Sequence, residues 1–284
     1  MSSHHTPVAL VTGASAGIGL VTARELAQRG HRVVTVSRAD GAGAARAEEI
    51  ARATGAEVTF VGADLSRPAE AVRVAETVAG SFGRVDVLIN NAGAFFDRRL
   101  ESQDGHEMTF ALNHLGPFAL TAALLPSLRS SGARVITVSS NAALGATLQL
   151  DDPQTERRFN GWRAYAWSKL CNQLFARELA RREGSAGVTS VSMHPGFVAT
   201  SFGHAGRMGV VVKLLQRLFG RSPEQGADTL VWLASESELP GDNGAYFVDR
   251  RERPGARAAR DEVAQARLWE ISERELERSG VRLP

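Results

Sequence analysis

The sequence predicts an α/β fold: a single doubly wound parallel sheet with helices on both faces. Three observations predict it. Apolar runs of strand length alternate with longer stretches at helical spacing along most of the 284 residues. The runs are apolar throughout, as strands buried on both faces require. A glycine-rich turn also joins the first run to the first helix, and a second strand follows it closely, which is the βαβ unit.

Val8-Ala9-Leu10-Val11 is the first strand. An amphipathic helix follows, with Ile18, Val21, Thr22 and Leu26 at helical spacing, and Gly30 closes it. Arg32 to Val36 is the second strand and Glu57 to Val61 the third, with a helix from Pro68 to Ser81 behind it. Val85 to Ile89 is the fourth strand. Glu107 to Leu128 is a helical stretch that contains Pro117, and Arg134 to Val138 is the fifth strand. A long helix runs from Trp162 to Glu183, with Ala166, Leu170 and Leu174 on one stripe. Val188 to Met193 is the sixth strand. Ser222-Pro223-Glu224 supplies an N-cap, a proline at the first helical position and an acid in the first turn of a helix reaching Ala234. Ala245 to Val248 is the last strand. Residues 1–7 read as a flexible tail and 8–284 as one domain, with a substrate-covering segment at about 197–222 and a C-terminal extension at about 250–284.

Composition excludes several classes. Hydrophobic residues make up 43% and charged residues 23%, the balance of a soluble globular protein. A net charge of +2 is too small to argue for nucleic acid. Arginines gather at Arg250, Arg251, Arg253, Arg257 and Arg260, but no aromatics interleave with them to stack bases, so they read as a solvated surface. The single cysteine, Cys171, allows no intramolecular disulfide and lies in an apolar run, which suits a core position in a reducing, cytoplasmic compartment. No apolar stretch of transmembrane length and no signal-peptide pattern is expected, and His4-His5 belongs to the tail. The histidines and the cysteine show no metal-ligand spacing.

The chemistry concentrates around one pair. The chain has only two lysines, Lys169 and Lys213, and only two tyrosines, Tyr165 and Tyr246. Tyr165 and Lys169 stand four apart, on one face of a predicted helix. Arginine meets the need for positive charge almost everywhere else. A lysine kept here suggests a task for a compact ammonium of tunable pKa. A neighbouring cation favours the phenolate, which would make Tyr165 a general acid/base of lowered pKa.

The glycine-rich turn is Thr12-Gly13-Ala14-Ser15-Ala16-Gly17-Ile18-Gly19. It supplies a tight turn, close backbone approach and amide hydrogens at a helix N-terminus, the requirements for a dinucleotide pyrophosphate. An acid at the end of the second strand would hydrogen-bond a ribose 2′-hydroxyl, but the chain has Ser37-Arg38 there. Ser37 leaves room and Arg38 can pair with a 2′-phosphate, so NADP(H) is favoured over NAD(H).

Taken together, these residues resemble the short-chain dehydrogenase/reductase family, with its Rossmann-type fold. The turn matches its Thr-Gly-x-x-x-Gly-x-Gly, and Asn90-Asn91-Ala92-Gly93 matches its Asn-Asn-Ala-Gly. Asp64-Leu65 matches the pair over the adenine pocket, and Ser139-Ser140 stands where the family keeps its catalytic serine. Tyr165 and Lys169 match the signature pair; Pro195-Gly196, with Val198 and Thr200, matches the segment that holds the nicotinamide carboxamide. Within the family, Leu112-Asn113-His114-Leu115-Gly116-Pro117-Phe118, the long interval Leu150 to Gly161 and the tail element Ala266 to Ser272 are similar to a retinol-dehydrogenase-like branch.

The resemblance implies an oxidoreductase moving hydride between a nicotinamide and a hydrophobic aldehyde, ketone or alcohol. Tyr165 would carry the proton, Lys169 would lower its pKa and bind the nicotinamide ribose, Ser140 would orient the substrate oxygen, and Asn113 would hold a water linking Lys169 to solvent. The cofactor contacts it implies are Gly13, Ser15, Ala16, Gly17, Ile18, Gly19, Arg38, Asp64, Leu65, Asn91, Ala92, Gly93, Tyr165, Lys169, Pro195, Gly196, Val198 and Thr200. His114 and His194 read as structural histidines. The apolar stretch Met208 to Phe219 is a lid over the substrate, a subunit contact, a core helix or a membrane-surface helix. No stable membrane anchor is expected, and the family implies a homo-oligomer. A second class stays open: a nucleotide-sensing binding protein on the same fold, which would be free to lose the Asn113, Ser140, Tyr165, Lys169 set.

Overall fold

The computed structural model describes residues 6–196, 221–239 and 241–283. Among them is an eight-stranded sheet of order β3-β2-β1-β4-β5-β6-β7-β8. Its strands are β1 Val8–Thr12, β2 Arg32–Ser37, β3 Val58–Gly62, β4 Val87–Asn90, β5 Arg134–Val138, β6 Thr189–His194, β7 Tyr246–Val248 and β8 Arg251–Arg253. Pairing is parallel from β3 through to β7, and β8 adds antiparallel to β7. The helices are α1 Gly17–Gln28, α2 Gly43–Thr54, α3 Pro68–Phe82, α4 Met108–Ser131, α5 Gly161–Glu183, α6 Pro223–Ser235 and α7 Glu262–Arg278.

Period-2 alternation along the strands divides the core into two layers. Val8, Leu10, Val34, Val36, Leu88 and Val135 face α3, α4 and α5, where Val74, Leu120 and Phe175 meet them. Ala9, Val11, Val33, Ile89 and Ile136 face the other way, onto Leu26 of α1 and Leu230 of α6. Both layers are helix-covered, as uniformly apolar parallel strands require.

Two elements carried no apolar signal. The helix α2 lies between β2 and β3 and buries only Gly43, Ala47 and Ile50, so no stripe of large side chains betrays it. The strand β8 is Arg-Glu-Arg with all three residues exposed. It is a charged edge strand, and it displaces Tyr246–Val248 from the predicted place as last strand.

Other boundaries shift by a residue or two. Glu107 is the N-cap of α4 and not its first residue: its carboxylate accepts from the amides of Thr109 and Phe110, each at 2.8 Å. Pro117 has no amide for the carbonyl of Asn113, and the turn before it, Ala111–Leu115, is π-helical. The sequence expectation of no segment of transmembrane length needs correction: among the described residues α4 is long and apolar enough, with a mean hydropathy of 1.3 over its best window. Of that window 78% is buried inside the structure, in the layer between α3 and α5.

The C-terminal extension docks on α5. Trp167, Leu170, Cys171 and Leu174 pack with Ala256, Ala259 and Leu268, so Cys171 is a core residue. Polar contacts fix the same docking. His114 Nε2 lies 2.8 Å from Ser272 Oγ, and Gln154 Nε2 donates to Glu275 Oε2 at 2.9 Å.

Candidate active site

Parallel strands all end at one edge of the sheet, where a doubly wound fold binds its ligands. Thr12, Ser37, Asn90, Val138 and His194 end their strands there, and the loops after them carry the predicted site.

Thr12 organises the first part. Its Oγ1 donates to the Ile89 carbonyl at 3.2 Å and accepts from the amides of Asn91 and Ala92, both at 3.0 Å. Asn91 returns the contact by donating Nδ2 to the Thr12 carbonyl at 2.8 Å. The segment after β4 is thereby locked to the glycine turn. Gly13 has φ +68°, a conformation that favours glycine. A Cβ on Gly19 would stand 2.4 Å from the Gly13 carbonyl oxygen and 2.5 Å from Asn91 Nδ2, so only glycine lets α1 approach this closely. In this structure Asn91 and Gly19 build the turn.

The residues fit a dinucleotide. The helix α1 starts at Gly17 behind Ala16, with no side-chain cap and no acid in its first turn, leaving uncapped amides for a pyrophosphate. Ser15 is half-buried beside them, Ala16 is exposed and Ile18 turns into the core. At the end of β2 the buried Ser37 Oγ has no hydrogen-bond partner among the described residues. Arg38 is 75% exposed and its Nε stands 3.8 Å from Asp40 Oδ1, a loose surface pair. Asp64 folds back on Ser66, its Oδ1 accepting from the backbone amide at 3.0 Å and the hydroxyl at 2.8 Å. Leu65 is buried, and its carbonyl would stand 2.1 Å from a Cβ at Gly116, tying this loop to α4. Pro195 and Gly196 (φ +85°) follow β6, with the Arg221 side chain against Gly196. Val198, Thr200 and the apolar stretch 208–219 lie outside the described residues.

The second part brings Asn113, Ser140, Tyr165 and Lys169 together. Asn113, on the π-helical turn, accepts from the Ala94 amide at 2.8 Å and donates to the Ala94 carbonyl at 2.9 Å and Ser168 Oγ at 3.0 Å. Its amide hydrogens are spent bracing the loop after β4 against α5. Gly93 closes this contact, since a Cβ there would be 3.0 Å from Asn113 Oδ1 and 3.2 Å from Lys169 Nζ.

The two serines divide their work. Ser139 Oγ donates to the Lys169 carbonyl at 2.7 Å and accepts from Gln173 at 3.3 Å, so it faces α5. Ser140 caps the 3₁₀ turn Asn141–Gly145, accepting from the Ala142 amide at 3.2 Å, and its hydroxyl is hydrogen-bonded to the Tyr165 phenol.

Tyr165 and Lys169 are buried, at 8% and 3% exposure. Lys169 Nζ lies 5.7 Å from the centre of the Tyr165 ring and donates to the Val138 carbonyl at 3.0 Å. Burial pushes the phenol up to about 12, with the Ser140 hydrogen bond opposing it. Burial pulls the ammonium down to about 8. Against the expectation of a lowered tyrosine pKa, desolvation sets the direction, because the phenol is out of water and the ammonium is turned to Val138. The result is a phenol that keeps its proton beside a lysine still cationic at neutral pH.

Burial lowers His114 and His194 to about 3 and about 4, the latter with help from Arg221, so both are neutral imidazoles at neutral pH.

Sequence reading missed several contributors. Thr12 was visible only as the first letter of the turn. Phe95 stands edge-on to Tyr165, ring centres 6.0 Å apart, and Trp162 lies 6.1 Å from it while 62% exposed. Tyr246 donates to Asn141 Oδ1 at 2.9 Å from the far strand β7.

Comparison with known proteins agrees with this geometry. A family model described as short chain dehydrogenase matches residues 7–208. Human retinol dehydrogenase 14 is 38% identical across 95% of this chain and 86% of its own. Mouse polyprenol dehydrogenase is 38% identical across 92% of this chain and 81% of its own. The crystal structure of L-sorbose reductase from Gluconobacter frateurii, complexed with NADPH and L-sorbose, superposes with a TM-score of 0.69 at 25% identity, covering 86% of this chain and 95% of that one.

Proposed function

The chain belongs to the short-chain dehydrogenase family, oxidoreductases of CH–OH and carbonyl groups, and on that premise we propose that it is an NADP(H)-dependent enzyme interconverting a hydrophobic aldehyde or ketone and its alcohol. The observation that carries the reading is the convergence of Ser140, Asn113 and the Tyr165–Lys169 pair from three separate elements onto one edge of the sheet.

NADP(H), when bound, supplies or removes the hydride. The uncapped start of α1 would hold the pyrophosphate, with Ser37 and Arg38 at the adenosine ribose. Reduction needs a proton at the carbonyl oxygen, and Tyr165 holds one: its O–H bond breaks as the product hydroxyl forms. Lys169 balances the phenolate left behind. Ser140 shares its hydrogen bond between the phenol and the substrate oxygen, which fixes their approach. Asn113 keeps the loop carrying Gly93 pressed against Lys169. In oxidation the same proton returns to Tyr165.

Phe95 and the exposed indole of Trp162 supply apolar surface beside the phenol, and Leu144 in the turn after Ser140 is 52% exposed. Water is a poor partner for such surface, and a lipophilic substrate is a good one. Relatives named for retinol and polyprenol, both apolar alcohols, support the same substrate class. A buried lone cysteine agrees with a reducing, cytoplasmic setting.

The test is NADPH consumption against straight-chain aldehydes of increasing length, with NADH in parallel. The reading expects kcat/KM to rise with chain length. Tyr165→Phe should lose about 10²–10⁴-fold in kcat while still binding NADPH. Arg38→Ala should raise KM for NADPH about tenfold, equivalent to one charge-assisted contact, and leave NADH unaffected. Full turnover by Tyr165→Phe would overturn the mechanism, and a flat response to chain length would overturn the substrate class.

A further inference from the structure

Both tyrosines of the chain sit at this one site. Tyr165 comes from α5. Tyr246 comes from β7, and its buried ring stands beside the β6 strand residue Ser192. Its hydroxyl donates to Asn141 Oδ1 at 2.9 Å, and Asn141 is the residue next to Ser140. The two phenols are close enough for the charge on one to be felt by the other.

Apolar packing fixes the middle of the turn Asn141–Gly145, where Ala143 is buried against Trp167 and Leu170 of α5. Its polar ends are held locally: Leu144 is exposed, and the turn's own bonds run from Ala142 to Ser140 Oγ, from Ala143 to the Ser140 carbonyl and from Ala146 to the Ala143 carbonyl. The serine hydroxyl that must meet Tyr165 therefore sits at the start of a short, half-exposed 3₁₀ turn. A serine rotates freely about one bond, and catalysis needs it held within a few tenths of an ångström. Tyr246 supplies a long-range hydrogen bond to the turn's first residue, next to Ser140.

A parallel tie reaches the preceding serine. Gln173 donates to Ser139 Oγ at 3.3 Å and accepts from the Ala256 amide at 2.8 Å, just beyond β8. The β7–β8 hairpin and its exit thus grip both sides of the serine pair.

We propose that Tyr246 is a positioning residue: through Asn141 it holds Ser140 in hydrogen-bonding reach of Tyr165, coupling the C-terminal hairpin to the proton-transfer pair. The catalytic part of this inference rests on the function proposed above, but the geometric part does not.

The test exploits the tyrosine count. Protein labelled with carbon-13 at the tyrosine ring carbon bearing the hydroxyl gives two resonances, which Tyr246→Phe assigns. Ser140→Ala marks the direction in which the Tyr165 resonance moves when its hydrogen bond is lost. Tyr246→Phe and Asn141→Ala should both move it the same way. Kinetically, each should lower kcat about tenfold, the equivalent of one hydrogen bond, with KM for NADPH unchanged, and Tyr246→Phe should add nothing in a Ser140→Ala background.

Tyr246→Phe keeps the buried ring, and Asn141→Ala approaches the contact from the exposed side, so a folding defect in one leaves the other informative. A Tyr165 resonance unmoved by both variants, or unmoved by Ser140→Ala itself, would overturn the proposal. Absence of turnover in the wild type would sink the oxidoreductase reading alone, and the resonances would still decide this one.

Discussion

Replacing Lys169 by methionine should abolish turnover and stabilise the protein. The ammonium is 3% exposed and burial lowers it from 10.5 to about 8. Keeping it charged in the fold at neutral pH costs about 3 kcal/mol relative to the unfolded chain. Methionine has a similar reach and no charge to desolvate. The hydrogen bond to Val138 is lost, worth about 1 kcal/mol, but the Val138 carbonyl keeps a donor, because Asn172 Nδ2 also reaches it at 3.0 Å. The net gain is about 2 kcal/mol.

The sign of its pH dependence follows from the depressed pKa. Below about 8 lysine is protonated in both states and the wild type bears the whole penalty. Between about 8 and 10.5 the folded state releases its proton first, and the penalty fades. Urea unfolding of wild type and Lys169→Met at about pH 7 and about pH 10 reads the difference. The variant should be more stable at neutral pH, with most of the gain gone in alkali, while kcat falls by more than about 10². A variant less stable than wild type at neutral pH, or a difference independent of pH, would refute the assignment of the shift to desolvation.

Gly19→Ala sets two effects against each other. Alanine favours the helix by about 1 kcal/mol, but its Cβ would meet the Gly13 carbonyl at 2.4 Å, and overpacking against backbone costs about 1–3 kcal/mol. The clash should win: a lower Tm and weaker NADPH binding by fluorescence titration, with a higher Tm and intact binding as the contrary result. Thr12→Val keeps the shape of the side chain but leaves the amides of Asn91 and Ala92 without their acceptor. It should cost about 2–6 kcal/mol, at about 1–3 for each unsatisfied group. A denaturant midpoint equal to wild type would show that the amides find other partners.

Element types were legible wherever apolar side chains repeat. The strands from β1 to β7 and the helices around them are marked by residues such as Leu10, Val34 and Leu88, which the core needs in any case. Where packing asks for little, the pattern is silent. The helix α2 buries small residues and Ile50, and β8 is held by hydrogen bonds to its neighbour while its side chains stay in solvent. The family was legible too, because the glycine turn, the Asn-Asn-Ala-Gly segment and the Tyr165–Lys169 pair are short runs whose residue types are dictated by backbone geometry and by chemistry.

The sequence alone determined which groups this protein carries and the order in which the fold presents them, since turn glycines, helix spacing and strand alternation are properties of neighbours along the chain. Tertiary structure alone decided their electrostatics and their alliances. The tyrosine pKa rises because burial, which no local pattern records, outweighs the Ser140 hydrogen bond. Asn113 is spent on Ala94, Ser139 on Lys169, and Tyr246 reaches Asn141 from 105 residues away. Such contacts exist only once parallel strands have brought the ends of separate segments to one edge, and the water they exclude there sets the charge each group will bear.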